Sequence, residues 1–162
     1  MSTQLDNRDL EILRILSREG RISKTELAKR VNLSPTPCWE RLKRLEDSGL
    51  IRGYRADIEL SALGPSVTIF VTVELERHRS QDFRAFEAAV APRDEVTACW
   101  ALGGGFDYIL QVTTKDVDTY QRFIDELLRD DLGLARYFTY IVTSTVKSNM
   151  PSFAILDGAQ KK

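Results

Sequence analysis

Residues 34–54 read SPTPCWERLKRLEDSGLIRGY, and the fold follows from how this stretch is understood. Ser34 takes an N-cap position and Pro35 the first helical position. A serine hydroxyl can accept from N–H groups of the first turn, and proline loses no hydrogen bond there. Gly49 suits the left-handed conformation that ends a helix. Between these ends Cys38, Leu42 and Leu45 recur at i, i+4 and i+7, a single apolar stripe. Thr36, Glu40, Lys43 and Arg44 turn away from the stripe, with Pro37 and Arg41 on its flank. Such a helix packs on one side and offers hydrogen-bonding and cationic groups on the other. Trp39 lies between the two sides and is expected to pack against the domain core rather than stack on DNA.

Upstream, Asp6 or Asn7 caps a first helix whose core face is Leu10, Leu13, Ile15 and Leu16, with Gly20 as its stop. Ser23-Lys24-Thr25-Glu26 has the spacing of a capping box. The short helix it opens turns Leu27, Ala28 and Val31 inward, and Asn32-Leu33 makes the turn into the helix at Ser34. Three helices, the last two separated by a tight turn, form a helix-turn-helix. Its outer helix offers Ser34, Thr36, Pro37, Glu40, Arg41, Lys43 and Arg44 to double-stranded DNA. Serine and threonine donate to phosphates, arginine reaches guanine or phosphate, and glutamate accepts from a cytosine amino group. The helix N-terminus adds a partial positive charge suited to phosphate.

Downstream, Leu50 to Ile58 reads as a short extended wing and connector, and Gly64-Pro65 is the strongest punctuation. A winged helix-turn-helix domain is therefore assigned to residues 1–52, and a hinge or linker strand to residues 53–66. Residues 67–149 alternate elements. Val67–Leu75 is a β-branched strand and Asp82–Ala91 a helix. Val96–Leu102 and Asp107–Thr113 form a hairpin around Gly103-Gly104-Gly105-Phe106. Asp116–Arg129 is a helix and Tyr137–Val146 the last strand. The order βαββαβ is that of a ferredoxin-like α+β domain, a four-stranded antiparallel sheet with both helices on one face. Its other face is apolar enough to call for a second copy. Residues 150–162 form a tail, frayed at Lys161-Lys162.

The totals bound the function. A net charge of −1 excludes a broadly cationic coat, yet residues 1–60 carry +2 and residues 61–162 carry −3. That asymmetry suits a local DNA contact on a body that does not bind nucleic acid. Two cysteines and one histidine cannot supply a four-ligand zinc site, and no cofactor is expected. Cys38 and Cys99 both lie in apolar patterns and are expected as buried thiols. His78 sits in a charged loop, where a solvated role is favoured over catalysis. No nucleophile elbow or phosphate-binding loop motif is present, so an enzyme is not expected. No apolar run reaches the length of a membrane span and MSTQLDNRDL lacks the features of a secretory signal, which makes the cytoplasm the default location.

LSPTPCWERLKRLEDSGLIRGY resembles the corresponding stretch of the Lrp/AsnC family of bacterial and archaeal transcription factors. The opening DNRDLEIL, RISKTELA before the turn, and GGGFDYIL extend the resemblance across roughly residues 6–149. It implies dimers that assemble further, often into octamers, and control by an amino acid or related metabolite held near the hairpin. Consecutive glycines permit close approach to backbone N–H groups, and Asp107 offers a carboxylate to an ammonium group. The expected effector residues are Gly103, Gly104, Gly105, Phe106, Asp107 and Tyr108, joined by Tyr137 and Thr139 of the last strand. Tyr137 stands where the family pattern often has threonine, so an altered pocket is expected. GGGFDYIL together with ARYFTYIVT is similar to the subgroup that accompanies ectoine-degradation genes, which points to an ectoine-derived diamino acid. Two other readings stay open at this point: a global architectural DNA-binding protein, and a metabolite-binding module without DNA function. For the regulator, two recognition helices per dimer imply an imperfect palindrome with half-sites about one helical turn, or a multiple, apart.

Overall fold

A computed structural model describes residues 5–148 of the chain, so the tail assigned to residues 150–162, together with Asn149, lies outside the described residues. The chain forms two compact units that divide between Asp57 and Ile58.

The first unit contains helices α1 (Asn7–Leu16), α2 (Lys24–Arg30) and α3 (Pro35–Asp47). Asp6 caps α1 in a reciprocal box. Its carboxylate accepts from the Asp9 N–H at 2.9 Å, and the Asp9 carboxylate accepts from the Asp6 N–H at 3.1 Å. The helix ends at Leu16, a turn before the expected stop at Gly20. Ser17 follows as the C-cap, its N–H donating to the Leu13 carbonyl and its hydroxyl to the Arg14 carbonyl. Ile12, absent from the expected core face, is fully buried with Leu27, Val31 and Leu45, and Cys38 and Leu42 join them. At the start of α2 only half of the capping box forms. Ser23 accepts from the Glu26 N–H, while the Glu26 carboxylate pairs with Arg30 instead.

The turn between α2 and α3 is a complete Schellman arrangement. Asn32 adopts φ 51°, its N–H donates to the Lys29 carbonyl, and the Leu33 N–H donates to the Ala28 carbonyl. Asparagine tolerates the left-handed region better than most residues, which suits it to this tight reversal. Gly49 ends α3 at φ 75°, as its position in the sequence suggests. The wing expected after it is not formed as strand. Residues 52–59 carry no ladder hydrogen bonds, although Ile51 packs on the helical core and the Tyr54 hydroxyl donates to Glu46 at 2.8 Å.

The second unit is β1 (Val67–Leu75), α4 (Ser80–Val90), β2 (Val96–Ala101), β3 (Tyr108–Thr114), α5 (Val117–Arg129) and β4 (Leu134–Ile141). The strands pair antiparallel in the order β2-β3-β1-β4, the ferredoxin-like arrangement. Ile69, Val71, Val73, Leu110 and Val112 are fully buried on one face, under Phe86 of α4 and Phe123, Ile124 and Leu127 of α5. β4 stops at Ile141 rather than Val146, because β1, its only partner, begins at Val67; one further bond runs from the Val142 N–H to the Thr68 carbonyl. Cys99, expected to be buried, lies on edge strand β2 and is exposed, whereas Cys38 is buried as expected. Pairing partners place Trp100, Ile109, Thr72, Phe70, Phe138 and Tyr140 on the opposite face of the sheet. There Trp100, Phe138 and Tyr140 are each about half exposed, and no helix among the described residues covers them.

Candidate DNA-reading face and effector hairpin

The outer side of α3 begins with an unusual cap. Ser34 has extended N-cap geometry, yet its hydroxyl makes no capping hydrogen bond. The reason is Pro37 at the third helical position, where the N–H that a serine cap usually engages is missing. Pro35 has no N–H either, so of the four donors a helix start normally leaves free only those of Ser34 and Thr36 remain. This is fewer than a phosphate-binding helix start ordinarily offers, but the Ser34 hydroxyl is left available. Ser34, Thr36, Pro37, Glu40, Lys43 and Arg44 are all exposed.

Arg41 points elsewhere. It lies one residue, and so about 100°, round the helix from Glu40. There its guanidinium meets α1, donating to Asp6 at 2.5 Å and to Asp9 at 3.0 Å. Arg41, expected to face a DNA groove, instead makes hydrogen bonds that join α3 to α1. These carboxylates raise the Arg41 pKa further, Asp6 first. Arg44 donates to the other oxygen of Asp9 at 2.6 Å while remaining half exposed. Asp9 is completely buried. Sequence periodicity gave no sign of this ion network, because an aspartate two residues into a helix reads as part of a cap. Trp39, expected to pack into the core, is 41% exposed with the Lys24 ammonium 3.2 Å from its ring centre. The α2–α3 turn leaves it on the side of α3 that faces Lys24, outside the apolar stripe.

In the second unit the hairpin loop runs from Leu102 to Asp107. The Leu102 N–H donates to the Asp107 carbonyl, and the Asp107 N–H donates to the Val73 carbonyl. The Asp107 side chain turns back onto β1, accepting from the Leu75 N–H at 2.8 Å and meeting His78 Nε2 at 3.2 Å. His78 therefore has a defined partner and is not merely solvated. Gly103, Gly104 and Gly105 are exposed, none has positive φ, and a methyl added at any of them would meet nothing within 4 Å. A tight turn is thus not what calls for three glycines. Phe106 packs edge-on against Phe138 at 5.6 Å between ring centres, on the uncovered sheet face.

The remaining expected effector residues lie on the other face. Tyr108 is buried beneath α4, its ring 4.6 Å from that of Phe86 and its hydroxyl donating to Glu87 at 2.8 Å. Burial, then the Glu87 carboxylate, pushes its phenol pKa up strongly. Tyr137 packs on the same core, and Thr139 shares a hydrogen bond with the Tyr120 hydroxyl. Within one chain, the loop with Phe106 and the pair Tyr137 and Thr139 are therefore not brought into one pocket. Two surface clefts, one beside Arg79 and Arg84 and one beside Glu76 and Asp131, lie away from the hairpin loop.

A helix-turn-helix head with a polar, exposed recognition face, followed by a ferredoxin-like domain, defines a DNA-binding regulator with a separate ligand-binding domain. Residues 5–52 match the winged helix-turn-helix DNA-binding family, and residues 68–152 match the Lrp/AsnC ligand binding domain. The chain belongs to the Lrp/AsnC family. It is 50% identical over 154 residues to the transcriptional regulatory protein DoeX of Halomonas elongata, covering 95% of this chain and 98% of that one. The leucine-responsive regulatory protein of Salmonella typhimurium is 41% identical over 145 residues, 90% of this chain and 88% of its own. Among solved structures, the transcriptional regulator NMB0573 of Neisseria meningitidis, in complex with L-Met, superposes with a TM-score of 0.85 at 33% identity, covering 94% and 99% of the two chains. An AsnC family regulator from Agrobacterium tumefaciens gives 0.84 at 28%, covering 91% and 95%. These relatives are transcriptional regulators, not enzymes. No helix among the described residues is long and apolar enough to cross a membrane.

Proposed function

We propose that this regulator acts in the cytoplasm on an imperfect palindromic operator. It binds there as a dimer or a larger assembly and responds to an amino-acid-like effector derived from ectoine. The observation that carries the DNA half is the exposed row Ser34, Thr36, Glu40 and Lys43, backed by the Arg41 and Arg44 bonds to α1. In this reading Ser34 and Lys43 engage phosphates. Thr36, Pro37 and Glu40 meet base edges, and Arg41 and Arg44 brace the helix from behind. Phosphate contacts set the register and base contacts supply the sequence preference.

The effector half rests on the hairpin. Three glycines with ordinary φ, each with open space beside it, answer no need of the single chain. They suit a close neighbour from outside, either a ligand or a second copy. Phe106, Phe138, Tyr140 and Trp100 provide the apolar surface for that second copy. An effector lying where copies meet would draw on the Gly103–Gly105 backbone and Asp107 of one copy, with Tyr137 and Thr139 contributed across the assembly. The L-Met bound to the Neisseria relative supports an amino-acid class of ligand, and the similarity to DoeX, with GGGFDYIL and ARYFTYIVT, supports the ectoine assignment.

The test is fluorescence anisotropy of the full chain on duplexes taken from upstream of its own gene and of ectoine-catabolism genes. It is run with and without ectoine, its ring-opened diamino acids, and leucine. Binding to these duplexes that changes with a diamino acid and not with leucine is the expected result. Binding that ignores every compound would overturn the effector assignment.

A further inference from the structure

We propose that Lys24 is a DNA-backbone contact outside the recognition helix and that Trp39 is the residue that positions it. The inference rests on DNA binding by this head and adds a second element, the start of α2, to the phosphate-contacting surface.

Trp39 is three residues after Thr36 and four before Lys43, so it borders the same exposed row of α3. Its ring is 41% exposed and does not belong to the helical core. The Lys24 ammonium sits 3.2 Å from the ring centre, within the range of a strong cation–π contact. The contact joins α2 to α3 across the turn that sets their relative position.

Four arginines of this unit are used differently. Arg8 pairs with Glu11, Arg30 with Glu19 and Glu26, and Arg41 and Arg44 with Asp9. Each of those pairs cancels charge. Lys24 is held by an uncharged ring, which fixes the ammonium and leaves its full charge for an external anion. Its place in the first turn of α2 also works against helix stability, since a cation there opposes the helix dipole. The arrangement thus retains a positive charge beside the row of Thr36, Glu40 and Lys43, held in a fixed position. The anion that borders any helix seated in a DNA groove is backbone phosphate.

The experiment measures affinity against salt for the full-length protein, using two labelled duplexes of equal length. One is selected from a random pool by the wild-type chain and the other is unrelated. Lys24→Gln removes the charge and keeps the stem. It should weaken both duplexes alike, by about five-fold per engaged protomer at about 0.15 M salt, and reduce the slope of log K against log salt by about one per protomer. Trp39→Leu should give part of the same loss when Lys24 is present and none in the Lys24→Gln background. Melting curves of both variants confirm that the head is folded, and Trp39→Phe, which keeps an aromatic face, should restore most of the affinity. An unchanged salt slope in a folded Lys24→Gln protein would overturn the proposal. A Trp39→Leu effect that alters preference between duplexes, or that persists without Lys24, would overturn the positioning role and make Trp39 a base reader. Failure of the wild-type chain to select any duplex would count against DNA binding itself, a result distinct from either.

Discussion

Arg44 of the recognition helix donates to Asp9 of the first helix across 2.6 Å, to a carboxylate that is completely buried. Arg41 reaches the second oxygen of the same group at 3.0 Å. A buried carboxylate shared by two cations is costly to leave unpaired, whereas the partly exposed arginines can be rehydrated. Arg41→Ala or Arg44→Ala alone should therefore cost about 1–2 kcal/mol, since Asp9 keeps one cation. The double variant should cost about 3–5 kcal/mol, more than the two single losses together. Chemical denaturation of the four proteins checks this, and strict additivity would contradict it.

The same corner of the fold gives a pH dependence. The Asp9 N–H and then Arg41 hold the Asp6 carboxyl below its ordinary value of 3.8. Its folded pKa is depressed, so its stabilisation is fully present above the unfolded value. It fades as pH falls from about 4 through the lower folded value. Asp6→Asn should be less stable than the wild type at neutral pH and should converge with it in acid. Parallel stability curves from pH 6 down to pH 2 would contradict this.

Asp107 carries two loads that different substitutions separate. Alanine removes the acceptor for the Leu75 N–H and the partner of His78, and an orphaned N–H costs about 1–3 kcal/mol. Asparagine keeps an acceptor oxygen and loses only the charge. Asp107→Asn should melt close to the wild type yet lose the upward shift in melting temperature caused by a diamino-acid effector. A full ligand shift in the asparagine variant would remove Asp107 from the effector site.

Periodicity revealed most of the fold. The stripe Cys38, Leu42 and Leu45 and the β-branched run Val67–Leu75 are local patterns, and both elements stand where those patterns end. The pairing of Arg41 with α1 and the exposure of Trp39 are not legible in the sequence, for a common reason. Their surroundings are set by how α1 and α2 approach α3, and nothing within a few residues of each records that approach. The hairpin shows a different gap. The sequence marked Gly103, Asp107, Tyr137 and Thr139 together, but strand alternation puts Tyr137 and Thr139 on the side of the sheet that carries the helices and Phe106 with Phe138 on the open side. Which of these meet depends on a second copy, and that is invisible in a one-chain pattern. Cys99 was misplaced because an edge strand and a central strand can carry the same apolar alternation.

The uncovered sheet face supplies its own test. With Trp100, Phe138 and Tyr140 about half exposed, a charge introduced among these aromatics should prevent association. Phe138→Glu is expected to sediment as a folded monomer at micromolar concentration, where the wild type sediments as a dimer or larger. A wild-type monomer, or an unchanged assembly in the variant, would contradict the proposed interface.

The central claim is that the exposed row of α3 reads DNA sequence. It is tested most directly by the affinity ratio of the full-length protein for a selected duplex over an unrelated one, compared between wild type and Thr36→Ala/Glu40→Ala. Both positions are exposed, so the fold should be retained. If they face base edges, the ratio should fall by about ten-fold or more, while binding to the unrelated duplex changes little. A folded double variant with the wild-type ratio would contradict the account.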